Sequence, residues 1–401
     1  MKRRTFLHST ALATMAAAAG ASLAKCSGKK EPAGNPGISG NNLHYPMAIA
    51  MWDFSWLERR WTGAGYEDWD KALDELSDRG YNCVRIDAFP HLIAANPQKK
   101  WVIYPHWDNA DWGSPDINEI QIQPYLNEFI RKCASRNIQV ALSTWWREDQ
   151  DRLATQIKSP EELGALWVKA LDSIAAEGLL QHIEFVDLNN EFPIPYWTPY
   201  LKKDFVRNSP QGKKWMTDSI KIVREKYPEL KYTFSFTTEY ENCLTEDVSS
   251  LDLLELHCWI IHFSDFYKRI GFEYTPWGHE QFRKIVSSGA KEYYNNKQEY
   301  QEKLSKGIEL LAEWSRISGK PIGTTECWGP IDYKDYPMLE WSWVKEICAY
   351  GTIQASKQGR WKYIATSNFC GPQFNGMWRD IEWHRKLTGI IKKASLDADL
   401  A

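Results

Sequence analysis

The chain has 401 residues, 43% of them hydrophobic and 14% aromatic, with a formal net charge of −3. That is ample for one large domain or two ordinary ones. Near-balanced charge without a long basic run speaks against a nucleic-acid partner. The 21 tryptophans fit a cleft that stacks on flat, partly apolar ligands such as sugar rings.

In chain order, the first element is "MKRRTFLHSTALATMAAAAGASLAKC". Lys2, Arg3 and Arg4 form a basic head, and Ala11 to Ala24 is a small-residue apolar run too short to span a membrane as a mature helix. Residues 1–25 therefore read as an export signal, placing the protein in the periplasm or at the cell surface. The Arg-Arg-Thr-Phe-Leu order resembles a twin-arginine signal. Leu23-Ala24-Lys25-Cys26 resembles a lipoprotein cleavage box with Lys25 where a small residue is expected, which leaves membrane attachment through a lipidated Cys26 open. Residues 26–44 have the composition of a flexible tether, and 45–401 form the folded domain.

Eight short apolar runs follow, at 47–54, 82–89, 138–146, 183–189, 232–238, 251–259, 321–328 and 362–369. Helical patterns separate them near 66–79, 119–136, 161–177, 210–226, 298–318, 338–355 and 379–394. Only the fifth connection is short and poorly helical. This alternation predicts parallel βαβ units. Near-continuous apolar strands fit burial on both faces. Eight strands with right-handed crossovers favour an α/β fold of the (β/α)8 TIM-barrel type, a single domain. No glycine-rich phosphate loop follows the first strand, which weakens an open-sheet alternative. Two connections are long, about 90–118 after strand two and about 260–297 after strand six. Both would lie on the face where barrel sites are built. Seven cysteines after Cys26, with irregular spacing and no CxxC, read as buried free thiols.

Polar side chains gather where the strands end. The first strand gives Trp52 and Asp53, the second Arg85 and Asp87, the third Trp145, Trp146 and Arg147. The fourth gives Asn189, Asn190 and Glu191, with Pro193 and Pro195 stopping regular structure beyond them. The fifth gives Glu239, the sixth His257 and Trp259, the seventh Glu326 and Trp328. The eighth gives Asn368, with Trp378 in the loop after it. Acids at strand tips walled by tryptophans are what glycosidic-bond hydrolysis needs. One carboxylic acid protonates the leaving oxygen, and a second carboxylate attacks the anomeric carbon or activates water.

"LNNEF" closing strand four and "TTECWG" closing strand seven resemble the paired glutamates of the clan A glycoside hydrolases, the retaining barrel enzymes that include cellulase-type family 5; the closest likeness is to their cellulase-like members. The resemblance implies Glu191 as acid/base, Glu326 as nucleophile and Asn190 as ligand of the sugar 2-hydroxyl. It implies that Arg85 steadies the nucleophile, that His257 lies near it, and that Trp378 serves as a platform under the sugar. Trp52, Trp145, Trp259 and Trp328 join the expected substrate-binding set by their strand-tip positions. The clan's strand-six tyrosine, which bonds the nucleophile, is missing; Trp259 stands in its place, with Tyr240 and Tyr267 as substitutes. The expectation is an exported retaining β-glycosidase of plant or microbial oligo- or polysaccharides, needing no cofactor and no metal. The alternatives are a non-catalytic carbohydrate-binding protein on the same fold, or a metal-dependent sugar enzyme using Glu191, Glu239, His257 and Glu326 as ligands.

Overall fold

The computed structural model describes residues 45–105, 117–273, 279–331 and 340–400. The export segment, the tether with Cys26, and parts of both long loops lie outside the described residues. Eight strands build the barrel: β1 Met47–Ala50, β2 Cys83–Asp87, β3 Gln139–Ser143, β4 Ile183–Asp187, β5 Tyr232–Thr233 continuing as Ser235–Phe236, β6 Leu254–Leu256, β7 Ile322–Thr324 and β8 Trp361–Ile364. Every neighbouring pair is parallel. Nearly every strand residue is buried, the mark of strands covered on both faces. Closure runs through β5. Its first half pairs with β4 at Val186 and Asp187, and its second half pairs with β6 at Glu255 and Leu256. The chain is thus a (β/α)8 barrel.

The helices start where capping chemistry allows. Asp68, Ser159, Ser209 and Asp380 each accept a hydrogen bond from a backbone N–H of the first turn of Trp69–Asp78, Pro160–Ala175, Pro210–Lys226 and Ile381–Lys393, satisfying one of the otherwise orphaned donors. Pro160 and Pro210 sit at the first helical position, where a missing N–H costs nothing. The helix expected over 119–136 is instead Tyr125–Ala134. The residue before Pro124 is disfavoured from helical geometry, and the chain ahead of it forms a strand, Asn118–Gln121, paired antiparallel with Lys100–Ile103. The second long loop carries an additional helix, His279–Asn295, before Lys297–Ser318. All seven described cysteines are buried and free.

Inside the barrel, two layers differ. Phe185 of β4 and Tyr363 of β8 meet with ring centroids 4.9 Å apart. Two residues further along β4, on the same side of the strand, Asp187 faces Arg85 of β2 and Glu255 of β6 at 3.8 and 3.7 Å from the guanidinium. These are alternate strands, the pattern by which a barrel layer is filled, yet the layer is ionic where branched apolar residues are usual.

Candidate active site

Six of the eight non-glycine residues with positive φ among the described residues lie just beyond strand ends: Trp52, Phe89, Trp146, Glu191, Glu239 and Trp328. Such conformations cost free energy and concentrate where a loop must aim a side chain. Carboxyl groups pin these turns, that of Asp87 buried and that of Glu239 half-buried. Asp87 accepts from the N–H of Phe89 and of Trp145 at 2.7 and 2.8 Å. Glu239 accepts from the N–H of Arg207 and Asn208.

The turns bring Asn190, Glu191, His257, Glu326 and Arg85 together. Arg85, wholly buried, donates to Asp53 Oδ1 at 2.9 Å, to Asn190 Oδ1 at 3.0 Å and to Glu326 Oε1 at 2.8 Å, and its Nη2 lies 2.8 Å from Asp53 Oδ2 as an ion pair. His257 Nδ1 lies 2.8 Å from Glu191 Oε1 and 3.7 Å from Glu326 Oε1. One carboxylate oxygen of each glutamate and one imidazole nitrogen fall within 4.8 Å of one another. The other oxygen of Glu191 accepts from Trp197 Nε1 at 2.7 Å. Asn190 spends its oxygen on Arg85, while its buried amide nitrogen has no partner among the described residues. An unpaired buried donor is costly and marks a place a ligand oxygen would fill.

The electrostatics follow from this packing. Burial alone would lower the Arg85 guanidinium, but Asp53, Glu326, Glu255 and Asp187 hold it charged, with its pKa raised. Burial, with the Glu191 and Asp53 charges, lifts Glu326 to about 7 against the pull of His257 and Arg85. Burial also works to raise Glu191, but His257 and Trp197 outweigh it and hold its carboxyl below the ordinary value. His257 would be lowered by burial, yet Glu326, Glu191 and Glu255 raise it to about 10. The two glutamates therefore hold one proton between them, Glu326 the more readily, with a protonated imidazole alongside. Glu191, His257 and Glu326 also form the one group among the described residues spaced to hold a metal ion. A divalent cation there would meet the Arg85 charge 2.8 Å from Glu326 and would have to displace the imidazole proton.

The tryptophans divide. Trp145 stays at the site: its ring packs edge-on against Trp197 at 4.6 Å and its Nε1 donates to Asp53. Trp52 lies at the mouth, donating to the carbonyl of Asn368, whose own buried Oδ1 is unpartnered among the described residues. Trp328 departs from expectation. Its left-handed backbone turns the ring against Gly351 in the surrounding helix Ser342–Ser356, with Nε1 bonded to Ala365 O at 2.9 Å. Trp259 is wholly buried, pairing in register with Trp328. Trp378 is no open platform: it packs over Tyr81 and under Arg79 with Nε1 on Glu75. It lines a separate cavity of about 700 Å³ with Trp61, Arg59 and Arg79. Tyr240, a substitute for the missing strand-six tyrosine, spends its hydroxyl on the carbonyls of Phe236 and His257. Trp197, Glu255 and His262 were not singled out from sequence. His262, which burial keeps a neutral ring by lowering its pKa to about 4, has an Nδ1 that is unpartnered among the described residues.

A family model described as sugar-binding cellulase-like matches residues 49–392. The chain belongs to that family and has a cellulase-like glycoside hydrolase fold. A crystal structure from Parabacteroides distasonis ATCC 8503, of a protein provisionally named a glycoside hydrolase, is 46% identical, with a TM-score of 0.87 over 89% of this chain and 96% of that one. The GH5_18 protein of Bifidobacterium longum subsp. longum, solved in complex with Manβ1-4GlcNAc, is 13% identical, with a TM-score of 0.50 over 88% of this chain and 80% of that one. A GH5_18 protein of Bifidobacterium longum subsp. infantis is 11% identical at the same TM-score and coverage. At such identity the likeness concerns the fold. A search of curated proteins finds no match.

Proposed function

We propose that the chain is an exported retaining β-glycosidase in which Glu326 is the nucleophile and Glu191 the acid/base. The observation that carries this reading is the spacing of the two glutamates. Their nearest oxygens lie within 4.8 Å, close to the roughly 5–5.5 Å of retaining enzymes and short of the roughly 6.5–9.5 Å that inverting enzymes need to admit a water. In the first step a Glu326 oxygen bonds to the anomeric carbon as the bond to the leaving oxygen breaks, and Glu191 gives that oxygen its proton. In the second, water passes a proton to Glu191 and adds to the anomeric carbon, releasing Glu326.

The proton must lie on Glu191 and the charge on Glu326 when the bond breaks. The Arg85 contact favours the charged form of Glu326, and His257 Nδ1, close to both carboxylates, is placed to pass the proton between them. Asn190 Nδ2 binds the sugar 2-hydroxyl. Trp197 fixes the Glu191 carboxyl toward the leaving group. Tyr196, 69% exposed with its ring 6.0 Å from Trp197, offers the leaving sugar an apolar face. The amino-terminal pattern supports export, with Cys26 available for lipid attachment.

The test is the anomer released. Purified chain is offered aryl β-glycosides and β-linked oligosaccharides, Manβ1-4GlcNAc among them, and the first product is read by proton NMR. The β-anomer is expected. Initial release of the α-anomer, or turnover that survives in Glu326→Ala, overturns the assignment.

A further inference from the structure

One buried carboxylate beneath the site is not used by the two-glutamate chemistry. Glu255, on β6 and wholly buried, points its Oε1 at the face of His257 away from Glu191. Around His257 Nε2 stand Glu255 Oε1 at 3.5 Å, Thr325 Oγ1 at 3.4 Å and Arg85 Nη1 at 3.4 Å. Thr325 donates both its N–H and its hydroxyl to Glu255 Oε1, at 3.0 and 2.5 Å. The threonine oxygen is then left to accept, so Nε2 is the ring position that carries a proton on this side. The fold makes room for this acid: a Cβ at Gly323 on β7 would collide with Glu255 Oε2.

The charges decide the rest. A guanidinium so near Nε2 would drive a proton off the ring unless an anion lay beside it. Asp187, in the same layer, is a poor candidate, because burial lifts it to about 7. Glu255 is also pushed upward by burial, but His257, Arg85 and Thr325 bring it below its ordinary value and keep it anionic. The groups facing His257 are Glu191 beyond β4, Thr325 and Glu326 beyond β7, Arg85 on β2, His262 beyond β6, and Glu255. Asp53 and Asp187 act on it through Arg85.

We propose that Glu255 is a positioning residue: facing Nε2, it keeps His257 an imidazolium with Nδ1–H held on Glu191, and so governs which of the two glutamates carries their shared proton. The inference rests on the reading of Glu191 and Glu326 as acid/base and nucleophile, but its test needs no substrate. His257 is titrated by nitrogen-15 NMR in histidine-labelled protein, its signal assigned with His257→Asn. Glu255→Gln should lower the proton affinity of His257 by at least about tenfold, with Glu255→Asp in between. Thr325→Val keeps the backbone donor and should shift it the same way by less. An unmoved His257 midpoint in Glu255→Gln overturns the proposal; if that variant does not fold, an unmoved midpoint in Thr325→Val overturns it. A shifted midpoint in a protein that cleaves no β-glycoside supports the positioning role and removes the glycosidase reading instead.

Discussion

Two neighbouring layers of one barrel interior obey opposite rules. The layer of Phe185 and Tyr363 is held by ring contact, so it contributes by excluding water and filling volume. The layer of Arg85, Asp187 and Glu255 buries charge, which stabilises little and can cost more than it returns. The first layer makes a barrel. The second gives up stability to hold a histidine and two glutamates in fixed relation, which a packed apolar layer could not do.

The sharpest way to break the contrast is to cut the site that the ionic layer holds and, separately, the apolar layer. Glu326→Ala should lower kcat/KM by about 10⁴-fold or more, because the groups act as a unit, while circular dichroism stays unchanged. Phe185→Ala should do the reverse. Loss of a buried ring costs about 3–5 kcal/mol, read in denaturant melts, with kcat/KM of the folded fraction within about threefold of wild type.

pH separates the site from the apolar layer next. Glu326 is raised to about 7, so the folded state binds its proton more tightly than the unfolded chain. Its contribution is present below the ordinary carboxyl value and is lost as pH rises through about 7. Glu326→Gln should therefore gain stability relative to wild type at pH 8, on the order of 2 kcal/mol, and the gain should vanish near pH 4. Turnover needs the shared proton, so wild-type kcat/KM should fall about tenfold per unit above pH 7.

Smaller effects probe the rim. Trp197→Phe removes the donor on Glu191 and should cost about 10–100-fold in kcat for poor leaving groups, and much less for activated aryl glycosides that need no proton. Tyr196→Ala should raise KM for oligosaccharides several-fold with little change in kcat.

The alternation of apolar runs and helical patterns made the barrel readable, because strands buried on both faces must be continuously apolar. The paired glutamates were readable because each follows its strand in a short polar motif. Ring direction was not. Trp328 sits two residues after Glu326, where alternation alone would aim it into the site, but its φ of 72° sends it into the helix layer. Trp378 is beyond the last strand, and nothing in its neighbours announced the stack with Tyr81 and Arg79. Glu255 did leave a signal: an acid between the leucines of "LDLLELHCW", two residues before His257 and hence on the same face of the strand. The pairing of β5 with two partners depended on the whole cylinder and had no local mark.

That divided strand carries a further consequence. Its ladder to β4 and its ladder to β6 meet at buried Phe234, which makes it the seam of the cylinder. Ser235, the next residue, accepts from Phe192 N–H through its carbonyl and from Glu191 N–H through its hydroxyl, at 2.9 and 2.8 Å. Glu191 is thus moored to the place where the cylinder is joined. Breathing of that seam, seen as deuterium uptake at residues 232–236, would loosen Glu191, the proposed proton donor, without global unfolding.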